Sequence, residues 1–147
     1  MATAEGVSID FNSINFTVNG TPQPQGSIRA FMPKGAKHPV LTTDNVKLKP
    51  WRQEVSVMAL LARGFGNRDP LKCAIYLRVK FIFAKPKSIK PSVTEKLTKP
   101  DVDKLLRGLF DALTGILFHD DSQVVWVDAN KEFGLPERTE VEVLWRK

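Results

Sequence analysis

Cysteine occurs once in the 147 residues, as Cys73, and histidine only twice. One thiol closes no intrachain disulfide, so a disulfide-stapled scaffold is excluded and a reducing compartment is the simplest setting. Cys73 itself falls at the start of an apolar strand pattern and is expected to pack in the core. With one cysteine and no histidine pair there is also no ligand set for zinc. No apolar run approaches the ~20 residues of a membrane-spanning helix, and the opening MATAEGVSIDFNS lacks the basic and apolar regions of a secretory signal. A soluble, cytoplasmic protein with no membrane partner is expected. Acidic residues are in deficit as well, 16 against 22 lysines and arginines, for a formal net charge of +6. The resulting positive field favours polyanions such as nucleic acid.

What is present is ordinary globular material, 42% hydrophobic and 26% charged, enough at this length for one core. Residues 1–13 are small and polar and are read as a flexible tail, leaving 14–147 as a single domain. Ile14, Phe16 and Val18 alternate with polar residues into Asn19-Gly20, a strand and a turn. The segment TPQPQGSIRAFMPKGAKHPVLTT is too rich in proline for a helix, and short edge strands are expected around 27–32 and 39–42. Asp44 and Asn45 offer caps for a helix in which Trp51, Val55, Met58 and Ala62 recur at helical spacing until Gly64. From Cys73 to Phe83 every odd position is apolar, and Arg78 and Lys80 lie on the other face. Next comes AKPKSIKPSVTEKLTKP, with Lys85, Lys87, Lys90, Lys96 and Lys99 against the single acid Glu95. Such a long irregular loop is unusual in a compact domain unless it binds something. Two strands close the chain, 122–133 and 139–145, and the Gly134-Leu135-Pro136 turn is expected to join them as a hairpin.

The scarce acids are not scattered. In KPDVDKLLRGLFDALTGILFHDDSQVV, Asp101 and Asp103 precede an apolar helix and Asp120 and Asp121 follow it. The helix stripe is Leu105, Leu106, Leu109, Phe110 and Leu113, with Gly115 as its stop, while Asp103, Arg107 and Asp111 share the opposite face. Asp101 has a sufficient structural role as an N-cap, and Asp-Asp-Ser is a common entry to a strand. Taken one at a time, the four are explained as caps and turns. Taken together they would form a hard, all-oxygen site for Mg²⁺, with Mn²⁺ as a substitute, provided the apolar middle folds the two ends together.

The same stretch, with D-x-D-x-L at a helix start followed by FDALTGILFHDDSQV, resembles the RusA family of Holliday junction resolvases. The match is strongest over 100–131. The resemblance implies an α/β fold of the α+β type, a small mixed β-sheet with two main helices packed on it, in a homodimer that cuts four-way DNA junctions with magnesium. It implies Asp101, Asp103 and Asp121 as the essential acids and metal ligands, with Asp120 beside them in support. Arg107 stands where the family has a catalytic lysine, Lys104 where an asparagine is usual, and Lys131 matches a basic residue on the following strand. Lys104, Lys131, the loop lysines 85, 87, 90, 96 and 99 and the basic Arg78/Lys80 strand face would hold the DNA backbone. A junction has approximate twofold symmetry and needs paired nicks, so two copies of a one-site chain suit it.

Overall fold

The computed structural model describes residues 9–26, 29–42, 45–64, 66 and 69–147. β1 spans Phe11–Asn19. It starts ahead of Ile14 because Phe11 has a partner, the ring of Tyr76, met edge-on at 5.2 Å. β2 (Arg29–Phe31) and β3 (Val40–Thr42) pair with each other as a separate antiparallel ribbon instead of edging the main sheet. α1 is Leu48–Arg63, β4 Ile75–Phe83, α2 Val102–Leu113, β5 Val124–Phe133 and β6 Arg138–Arg146.

The main sheet is mixed, in the order β1-β6-β4-β5, with β4 parallel to β5 and antiparallel to β6. The expected β5–β6 hairpin is therefore not formed. The two strands follow one another in sequence but are separated by β4, whose core row Ile75, Leu77, Val79, Phe81 and Phe83 is buried throughout and takes the centre. The connection arches over the end of β4: Gly134 N–H donates to Phe83 O at 2.9 Å, and Ala84 N–H donates to the Glu137 carboxylate at 3.1 Å. A Cβ at Gly134 would lie 2.8 Å from Ile82 Cγ2, so only glycine passes there.

Both helices cover one face of the sheet. α2 contributes Leu105, Leu109 and Leu113, all fully buried, and α1 contributes Leu48, Trp51, Val55 and Ala59. Where they cross, Gly108 admits Leu48, Trp51 and the backbone of Gln23, each within 3.4 Å of where its Cβ would be. The expected cap Asp44 lies outside the described residues. Asn45 accepts from Lys47 N–H at 3.1 Å and donates to Gln23 Oε1 and Pro24 O, which ties the 23–24 segment to the start of α1.

Two further expectations are corrected here. Cys73 is exposed, because β4 begins only at Ile75. The Arg78/Lys80 face is not a free basic surface, since β6 runs beside it and supplies acids: Glu142 reaches Arg78 at 3.5 Å and Glu140 lies opposite Lys80.

Candidate metal and nucleic-acid site

α2 starts because Pro100 and an extended Asp101 (φ −73°, ψ 143°) end the preceding loop. That start is held in place by Lys131, whose ammonium on β5 donates to Thr98 O at 2.6 Å and Pro100 O at 3.1 Å. Asp101 occupies the N-cap position, yet its side chain makes no capping hydrogen bond. The structural role available to it is unused. Its charged neighbour is Lys104, one turn on, with Nζ 3.5 Å from Asp101 Oδ2. Asp103 and Arg107 are exposed on the following turns. Asp111, farther along the same face, is half-buried and accepts from Gln25 Nε2 at 2.6 Å.

At the far end, Asp120 behaves in the opposite way to Asp101. It caps a 3-10 turn, Asp121–Gln123, accepting from Ser122 N–H at 3.0 Å, and Gln123 completes the capping box. The Gln123 amide oxygen accepts from His119 N–H and Asp120 N–H, both at 2.9 Å. Its nitrogen donates to Leu71 O and Cys73 O at 2.8 and 2.9 Å. One side chain thus fastens the Asp-Asp turn to the segment that leads into β4. The Ser122 amide is the main reason the Asp120 carboxyl is held below the usual carboxylate range. Asp121 is pushed up, chiefly through its side-chain hydrogen bond with Asp120, then by desolvation and by the negative charges of Asp120 and Asp111.

The two acidic ends do not converge within one chain. Among the described residues no group of three His, Cys, Asp or Glu side chains is placed to hold a metal ion. The reason is directional. α2 starts beside Lys131, late in β5, and the chain re-enters β5 from its other end at Val124. The run of α2 from Asp103 to Asp111, about 12 Å along the axis, therefore lies between the first two aspartates and Asp121, whose carboxyl feels the charge of Asp111, and the apolar residues expected to fold the ends together instead hold them apart. Leu117 and Phe118 are fully buried core residues. The donor chemistry still fits a hard dication, since every candidate ligand is a carboxylate and Asp101 and Asp103 are open to solvent two positions apart.

The loop lysines divide. Lys85 donates to Pro91 O and Val93 O and lies 5.7 Å from the Phe133 ring. Lys96 sits 4.7 Å from the centroid of Phe83 and donates to Thr98 Oγ1 and Lys99 O. Burial, followed by the charge of Lys131, lowers its pKa. These two, with Lys131, shape the loop, whereas Lys87, Lys90 and Lys99 are exposed and free to meet a phosphate backbone. Sequence reading passed over Gln123, although D-x-x-Q ahead of a strand is a readable capping box. It also passed over Gln25, whose bond to Asp111 spans 86 positions and leaves no local signal.

A protein-family model described as Endodeoxyribonuclease RusA matches residues 19–144. An uncharacterized Bacillus subtilis (strain 168) protein, YqaN, is 33% identical over 140 residues, 88% of this chain and 94% of YqaN. The crossover junction endodeoxyribonuclease rusA of Lactococcus phage r1t is 36% identical over 80 residues, 54% of this chain and 57% of the phage protein.

Proposed function

Because the chain belongs to the RusA endodeoxyribonuclease family, we propose that it is a magnesium-dependent endonuclease resolving four-way DNA junctions by paired phosphodiester hydrolysis in recombination and repair. The observation that carries the reading is Asp101, an N-cap aspartate that caps nothing and stands beside the exposed Asp103. These carboxylates, with Asp121, hold the metal, and Asp120 sets the turn that presents Asp121. When bound, Mg²⁺ neutralises the carboxylates and polarises the scissile phosphate. Arg107 faces the same side of α2 as Asp103 and offers a planar two-pronged donor to a phosphate oxygen. Lys87, Lys90 and Lys99 hold the backbone on either side.

The separation of the acidic ends supports a homodimer in which each site takes Asp101 and Asp103 from one copy and Asp121 from the other. β5 is one of the two edge strands of the main sheet, and Val125, Trp126 and Val127 are exposed on it. An antiparallel twofold pairing of β5 near Trp126 brings the partner's Asp121 toward Lys131, and hence toward Asp101. The test is cleavage of a synthetic four-way junction with magnesium. Asp103→Asn and Asp121→Asn are each expected to cut at least 100-fold more slowly, on the scale of losing an essential catalytic electrostatic group. Mixed and re-equilibrated, the two variants regain single-strand nicking, because one of the two shared sites is then intact. No recovery on mixing would place the whole site within one chain, and full activity in Asp103→Asn would sink the assignment.

A second reading is favoured by the Lys104–Asp101 ion pair, which competes with a cation for that carboxylate. In it the protein binds junctions with little catalysis. Tight junction binding in EDTA, without nicking across a magnesium and manganese series, would select it.

A further inference from the structure

Among the described residues neither face of the β2–β3 ribbon is covered. Phe31 and Val40 form a cross-strand pair on one side and are 48% and 42% exposed. Leu41, paired with Ala30 on the other side, is 70% exposed, and Met32 just beyond β2 is 58% exposed. A two-stranded ribbon is marginal in water unless something covers it, and the sheet order provides no third strand. Charge indicates the kind of partner. Positions 29–42 contain Arg29, Lys34, Lys37 and His38 and no acid, and residues 34–38 are exposed. A second copy seated on this ribbon would set cation against cation. A polyanion with an accessible apolar surface satisfies both features, and unstacked nucleobases are that surface: side chains such as Phe, Leu and Met wedge against a base while ammonium groups hold the phosphates.

The ribbon is also rooted at the site. The segment leading into it is held on α2 by Gln25 N–H to Lys104 O at 2.9 Å. Asn45, on the segment leaving it, donates to Gln23 and Pro24 at 3.1 and 3.0 Å. Gln23, Pro24, Asn45, Lys99, Asp101 and Lys104 line one open hollow. The chain that enters the ribbon and the chain that leaves it are thus both anchored beside Asp101.

We propose that the β2–β3 ribbon is a branch-point reader: Phe31 and Leu41 take unstacked bases where the four arms meet, and Lys34 and Lys37 grip the adjoining phosphates. Intact duplex offers these apolar side chains nothing, so the ribbon selects branched over linear DNA. This inference rests on the junction reading above and deepens it.

The experiment uses the full chain in EDTA, with a four-way junction carrying 2-aminopurine at the branch point and a linear duplex of one arm. Wild-type protein is expected to raise the fluorescence of the junction alone. Phe31→Ala/Leu41→Ala abolishes that rise and weakens junction binding about tenfold, the scale of lost base stacking, while duplex binding and the circular dichroism spectrum are unchanged. Lys34→Ala/Lys37→Ala weakens binding to both DNAs and lowers the salt slope by about two for each copy of the chain bound. An apolar double variant that keeps the rise and the affinity overturns the proposal, as does one that turns a dimer into a monomer, which would make a second copy the occupant. Cleavage of the same junction by wild type with magnesium separates the two readings. If wild type cuts and the apolar double variant binds as wild type does, the ribbon proposal alone fails. If wild type neither cuts nor binds, both fail.

Discussion

Asp101 and Asp120 are the same residue type in the same local position, the N-cap of a helical segment, and they do different work. Asp120 gives its oxygen to the Ser122 amide, while Asp101 leaves its amides uncapped. The neighbour of Asp120 bears the cost. Asp121 is pushed above the usual carboxylate range by the hydrogen bond to Asp120 and by surrounding negative charge, so its ionisation is less favourable in the folded chain than in the unfolded one. A raised folded pKa of an acid penalises the fold where the group is ionised in both states, and the penalty vanishes below both values. Asp121→Asn is therefore expected to raise Tm at about pH 7 and leave it unchanged near pH 3, where the carboxyl is protonated. Magnesium should raise the Tm of wild type and not that of the variant. A variant less stable than wild type at neutral pH would show that Asp121 has a structural partner and is not held in readiness for a cation.

At the scale of elements, α2 is positioned from three directions. Lys131 fixes its start, Gln123 fixes the turn that follows it, and Gly108 lets α1 and the 23–26 segment come close enough to hold its middle. The last of these has a sharp size limit. Gly108→Val would drive two methyls into Leu48, Trp51 and the Gln23 carbonyl, and is expected to destabilise by about 2 kcal/mol, the usual cost of overpacking. Chemical denaturation reads this directly, as a lower midpoint with an unchanged slope. An unchanged midpoint would mean that the helix pair has slack the close contacts deny. The helix itself was legible from its apolar stripe, since Leu105, Leu109 and Leu113 recur at the spacing that buries one face. What it lies beside was not legible. Gln25 and Asp111 are far apart in the chain, and alternation in β5 and β6 looks the same whether the strands pair with each other or both pair with β4.

At the scale of the whole molecule, one chain carries two pairs of aspartates at opposite ends of a helix, and a sheet with an apolar edge strand. Exposed edges carrying apolar side chains are normally blunted or paired, and a twofold partner on β5 answers both features together. Trp126→Glu places a charge on that edge where the wild-type side chain is already partly exposed. The chain should stay folded, sediment as a monomer, and lose junction cleavage. A Trp126→Glu protein that remains dimeric would move the interface elsewhere.

Length, composition and hydrophobic period by themselves determined the elements, the single core, the positive field and the acids worth watching, because each is written in neighbouring residues or in their sum. The D-x-D and D-D-S-Q segments were enough for the family. Only the tertiary structure decided that β4 lies between β5 and β6, that Cys73 is exposed, and that Arg78 faces Glu142. It also decided that Asp121 does not gather with Asp101 and Asp103 within one chain. These depend on contacts between residues remote in sequence, where a strand's pattern tells which face is buried but not which strand lies beside it.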